Sequence, residues 1–148
     1  MAIVLGANFG YTVLAAAGIT LQCFVAGLSV VGARKKYNVQ YPDNGGGRYA
    51  DKLSDEDWVA FNNVKRVSDN YSEQVGSVLT MLVLAGLFQP KLAAAFGASY
   101  MVGRFIYGKA YISKGPAARI YGAPIMGLSF LGMIVTAAYN AAMITVFA

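Results

Sequence analysis

Four apolar stretches dominate this sequence, and 148 residues are too few to hide them all in a water-soluble core. The first runs from about Ile3 to Val31, with only small or uncharged polar interruptions such as Asn8, Thr12 and Gln22. At ~1.5 Å per residue it exceeds the ~30 Å hydrocarbon core of a bilayer. No charge precedes Arg34, so the basic start of a cleaved signal peptide is missing and a retained helix is expected. The second stretch, about Val75 to Phe88, is short alone, but Trp58 to Gln74 leads into it with a helical pattern free of Gly and Pro. Ser54-Asp55-Glu56-Asp57 supplies a start, a serine N-cap followed by negative charge at the positive end of the helix dipole. Such a helix is ~50 Å long and must project beyond the bilayer. Gln89-Pro90 sets a turn and a third helix, and the fourth stretch follows from about Tyr121 to Phe147. The expected fold is an all-α membrane protein. It is a four-transmembrane-helix bundle in one domain over residues 1–148, with helices at about 3–32, 55–88, 91–112 and 120–147.

Composition removes several alternatives. The chain is 57% hydrophobic and only 13% charged, against about 25% charged in a soluble domain. It has no histidine, and its one cysteine, Cys23, lies in the first apolar stretch, so no metal site built on His or Cys and no disulfide framework is expected. The net charge of +5 comes from basic residues that never form a long run, so the partner they suggest is not nucleic acid. Gly45-Gly46-Gly47, behind Pro42, Asp43 and Asn44, lacks the Lys-Ser/Thr ending of a phosphate-binding loop and has no strand before it; an exposed loop is the better reading.

Charge placement gives an orientation. Arg34, Lys35, Lys36, Arg48, Lys52, Lys65 and Arg66 belong to the first connection and the start of the second helix, while Arg104, Lys109, Lys114 and Arg119 surround the third connection. Only Lys91 falls at the other face, so the first and third connections are expected to be cytosolic. All seven acidic residues lie between Asp43 and Glu73. On the second helix Arg66, Asn70 and Glu73 are spaced i, i+4 and i+7, with Asn62 ahead of them; on the third, Arg104, Tyr107 and Tyr111 are spaced i, i+3 and i+7. Each set makes one polar stripe. Ionisable groups at such depth are costly and face a bundle interior or a wet cavity. The plain alternative is a buried ion-pair network with the tyrosines as interfacial anchors. Against it stands the cationic excess: Arg34, Arg66, Arg104 and Arg119 converge where the intramembrane carboxylates are Asp69 and Glu73. Guanidinium forks want a planar anion, so an anionic ligand is expected there.

These residues resemble a known family, the membrane-associated proteins in eicosanoid and glutathione metabolism (MAPEG), and most closely its microsomal glutathione S-transferase type three branch. The likeness starts at Gly32-Ala33-Arg34-Lys35-Lys36-Tyr37-Asn38-Val39-Gln40-Tyr41-Pro42 and continues through Phe61 to Glu73, with its Arg, Asn and Glu signature. It resumes at Val102-Gly103-Arg104-Phe105-Ile106-Tyr107 and extends past Tyr111 to Arg119 at the expected start of helix four. The resemblance implies a homotrimer with glutathione, as co-substrate, bound between subunits near the cytosolic face. It implies that Arg34, Arg66, Asn70, Glu73, Arg104, Tyr107 and Tyr111 hold glutathione and that Arg119 activates its thiol. The implied activity is conjugation of glutathione to lipophilic electrophiles, or reduction of lipid hydroperoxides, in the endoplasmic reticulum or another organelle membrane such as the mitochondrial one. Ser68, Gln74 and Gly76 depart from the branch's pattern, and Asp69 adds a negative charge beside the expected anion site. The competing function is a catalytically weak or inactive structural subunit of a larger membrane complex, favoured by those departures and by runs of small residues such as Ala93 to Ala95. A channel or transporter fits less well, because the charged stripe sits at one end and no paired broken helices are present.

Overall fold

The structure, a computed structural model, describes residues 5–147. Four long helices carry it: α1 (Phe9–Tyr37), α2 (Asp55–Phe88), α3 (Pro90–Lys114) and α4 (Ala123–Phe147), with short 3-10 turns at Ala50–Lys52 and Pro116–Tyr121. No strand occurs among the described residues. The expected start of the first helix at residue 3 lies outside the described residues. Leu5 to Asn8 are not helical, so α1 begins later than its apolar run does. It also ends later, because Arg34, Lys35 and Lys36 suit the negative end of the helix dipole and do not stop the helix. Asn38 stops it in the left-handed conformation, with the Asn38 and Val39 amides both donating to the Arg34 carbonyl.

Ser54 caps α2 as its sequence suggested, accepting from the Asp57 amide at 3.2 Å. One residue, Gln89, separates α2 from α3, so the two lie antiparallel side by side. α1 and α4 each pack against both of them. Small residues set these contacts: Gly86 lies against Thr12, Gly97 against Ala15 and Leu82, and Gly132 against Phe96. Ile19, Val78, Leu82, Tyr100 and Met133 are fully buried where the helices meet. The Thr12 hydroxyl donates to the Pro90 carbonyl, tying the start of α1 to the start of α3.

Among the described residues three helices, α1, α2 and α4, are long and apolar enough to cross a membrane. α3 falls short of the four-span expectation on composition, because Lys91, Arg104, Lys109 and Lys114 dilute it. It is nonetheless ~37 Å long by its 25 residues. Leu14, Leu21, Phe24 and Leu28 of α1 point outward, leaving an apolar face uncovered by this chain. The fourth helix starts at Ala123, not near residue 120, because Gly115 with φ of 80° closes α3 and Pro116 opens a 3-10 turn instead. Arg119 therefore sits on that turn.

Candidate functional site

The connection between α1 and α2 is a built loop. Asp43 is buried, and its carboxylate accepts four backbone amides, from Gly45 and Gly47 at one oxygen and from Tyr49 and Ala50 at the other. The Ala50 amide and the other three hold its carboxyl down at about 2, against the cost of burial. Asn62 of α2 pins the loop by donating to the Gly45 carbonyl. Arg34 closes it from α1, donating to the Val39 carbonyl at 3.3 Å and to Asn44 Oδ1 at 3.2 Å, with its guanidinium 4.2 Å from the Tyr41 ring centre. Arg34 and Asn62 were expected with the polar stripe; both are occupied by the loop, whose carbonyls lie nearer to hand.

The stripe itself is centred on Arg104. Only 4% exposed, this side chain donates from Nε to the Tyr100 hydroxyl at 2.9 Å, from Nη1 to Asn70 Oδ1 at 2.8 Å and from Nη2 to Gln74 Oε1 at 2.7 Å. Tyr71, Tyr100 and Tyr107 surround its guanidinium, the nearest ring centre at 4.4 Å. Every partner is neutral, and no carboxylate lies within ion-pair distance among the described residues. The shell extends into α1, because the Tyr71 hydroxyl lies 2.8 Å from Gln22 Oε1 while Gln22 Nε2 donates to the Met101 carbonyl. One buried cation thus gathers α1, α2 and α3.

Around it the expected residues divide. Arg66 and Glu73 pair at 2.9 Å on the outer face of α2, each about half exposed at 52% and 53%. Asn70 meets Arg104 directly. Tyr107 and Tyr111 are buried with ring centres 5.5 Å apart. Arg66 lies in the N-terminal half of α2, Arg104 in the C-terminal half of the antiparallel α3 and Arg119 on the turn that follows α3, so the three arginines share one end of the bundle. Arg119 is exposed. Two grooves open on either side. One, of about 610 Å³, runs between α1, α2 and α3 past Gln22, Tyr71, Arg104, Tyr107 and Lys109. The other, of about 410 Å³, is walled by Glu73, Gln74, Tyr100, Met126 and Phe130 of α2, α3 and α4.

The MAPEG family model matches residues 12–139, which takes in all of α2 and α3, most of α1 and α4, and every residue of this shell. The chain belongs to the MAPEG family. Two of the features read as departures look different once placed in this MAPEG fold. Asp69 is paired with Lys65 on its own helix, so its charge is already answered. Gln74 is a direct partner of Arg104. Ser68 is buried within the bundle, away from the outer face that carries Arg66 and Glu73. Gln22, Tyr71 and Tyr100 were not singled out for the site at all. Their signal was weak: a glutamine in an apolar helix, and a tyrosine four residues before the arginine it bonds.

Proposed function

We propose that this chain is a membrane-bound glutathione transferase or peroxidase of the microsomal glutathione S-transferase type three kind, working on lipophilic electrophiles or lipid hydroperoxides. The observation that carries the reading is the buried, carboxylate-free guanidinium of Arg104 at the same end of the bundle as Arg66 and Arg119. Glutathione brings two carboxylates for these cations and one ammonium for Glu73. Asn70, Tyr107 and Tyr111 supply neutral hydrogen-bonding and stacking surface beside them.

The half-exposed Arg66–Glu73 pair would be costly against lipid, so a neighbouring subunit covers it. In this reading the protein is a homotrimer, the outward apolar faces of α1 and α2 meet other copies or lipid, and all four helices cross. α3 tolerates Arg104 in the membrane because the charge is wrapped by three tyrosines and four hydrogen bonds. Arg34 then serves the site only through the loop it holds. The first and third connections lie on the cytosolic side, of the endoplasmic reticulum or another organelle.

Arg119 acts on the thiol. A guanidinium beside a thiol lowers its pKa from ~8.5 and raises the fraction of nucleophilic thiolate. The thiolate attacks the electrophile entering from the bilayer; with a hydroperoxide it attacks the outer oxygen, the O–O bond breaks and the alcohol leaves, and the sulfenic acid condenses with a second glutathione to give the disulfide and water. The test is ultraviolet thiolate absorbance on mixing glutathione with purified protein. Wild type is expected to give the thiolate signal, and Arg119→Ala to bind glutathione without it. A second reading, a structural subunit without turnover, is favoured by one observation: each terminal nitrogen of Arg104 already has a protein partner. Wild type that neither binds glutathione nor forms thiolate would establish that reading instead.

A further inference from the structure

The Arg104 shell has a property that its wrapping alone does not require. The two terminal nitrogens of the guanidinium fork each meet a carboxamide oxygen, Asn70 Oδ1 at 2.8 Å and Gln74 Oε1 at 2.7 Å. Two oxygens side by side on the fork are what a bidentate carboxylate would present. The two amides are not equivalent, however. Asn70 also offers its backbone carbonyl to Nη2 at 3.3 Å and is partly buried between α2 and α3. Gln74 is exposed, has a longer side chain, and lines the 410 Å³ groove between α2, α3 and α4. It can turn out into that groove without moving a helix.

We propose that the Gln74 carboxamide is a built-in stand-in for a ligand carboxylate, occupying Arg104 Nη2 until a carboxylate arriving through the α2–α3–α4 groove takes that donor and turns Gln74 outward. The inference rests on the glutathione reading above and adds to it the residue that sets how tightly the carboxylate is held. A neutral oxygen at this position satisfies the buried donor, which would otherwise cost free energy, yet yields to a charged one, whose bond to guanidinium is about twice as strong. Gln74 therefore trades ligand affinity for stability of the empty bundle. An anionic side chain there would shift the trade fully to stability, and an apolar one fully to affinity.

The experiment measures two quantities on purified wild type, Gln74→Leu and Gln74→Glu: equilibrium binding of glutathione and the thermal unfolding midpoint in the same detergent. The expected affinity order is Leu above wild type above Glu, with Gln74→Leu tightening binding about fivefold and Gln74→Glu weakening it about tenfold or more, the range of a charge-assisted hydrogen bond. The expected stability order is the reverse. Such opposed trends exclude a merely structural glutamine, for which affinity would follow stability. Binding by Gln74→Leu but not by wild type would support the stand-in while overturning the view that the native chain works with glutathione. Weaker binding by Gln74→Leu, or undiminished binding by Gln74→Glu, would overturn the stand-in and leave the proposed function intact. Absence of binding in all three proteins would overturn both.

Discussion

At the residue scale the molecule is organised by two charges that are buried for opposite reasons. Asp43 stays ionised because four amides point at it, and its work is to hold a loop. Its carboxyl is depressed in the folded chain relative to ~3.9 in an unfolded one, so its contribution is fully present above that value and is lost as pH falls toward about 2. Amide exchange of Gly45, Gly47, Tyr49 and Ala50 is therefore expected to lose its protection between roughly pH 4 and pH 2, ahead of the helix amides. Protection unchanged down to pH 2 would refute that linkage. Arg104, in contrast, has no carboxylate and depends on aromatic faces and neutral acceptors. Tyr71→Phe keeps the ring under the guanidinium and loses only its hydroxyl bonds to Ile19 and Gln22, an expected cost of about 1 kcal/mol. Tyr71→Leu removes the ring as well, and with it a cation–π contact worth up to about 2 kcal/mol in a desolvated site. Thermal unfolding in detergent should rank wild type, Tyr71→Phe and Tyr71→Leu in that order; equal midpoints for the two variants would mean the ring contact contributes nothing.

At the scale of the elements, apolar length and two punctuation signals made the helices legible. Ser54 with three acids after it marked the start of α2, and Pro90 marked the start of α3. The boundaries that misled were those set by physics other than hydropathy. Basic residues continue α1 because they favour a helix C-terminus, and Gly115-Pro116 inserts a 3-10 turn that a search for apolar runs passes over. That turn matters, since it carries Arg119, and its position depends on Gly122. A side chain at Gly122 would come within 2.5 Å of the Gly103 carbonyl oxygen and the Tyr107 amide nitrogen of α3. Gly122→Ala is expected to cost about 1–3 kcal/mol and to impair thiolate formation by shifting Arg119. Gly127→Ala, which meets nothing within 4 Å, is the control and should leave both unchanged or slightly raise stability. A Gly122→Ala protein with native stability would show that the turn is not locked to α3.

At the scale of the whole molecule, the polar end could be read from spacing, because i, i+3, i+4 and i+7 relations lie within one helix. What spacing cannot supply is which residues on different helices meet. Arg34 reads as a member of the site by its place in the sequence, and its guanidinium meets Asn44 and Val39, ten and five residues further along the chain. Gln74 looked like a loss, and it bonds Arg104 thirty residues away in sequence. The bundle that results presents an exposed Arg66–Glu73 pair on one flank, a wrapped Arg104 behind it and an exposed Arg119 at the end, a set with more positive charge than its own carboxylates answer. Glutathione is the ligand proposed to fill that deficit. Arg66 and Glu73 are exposed and bond only each other among the described residues, so their replacement leaves the bundle folded. Equilibrium binding of glutathione to wild type, Arg66→Ala and Glu73→Gln in lipid nanodiscs measures this directly. The predicted result is saturable binding to wild type, weakened about tenfold or more in each variant, as expected when a charged partner is lost; equal binding by all three, or none by wild type, would contradict it.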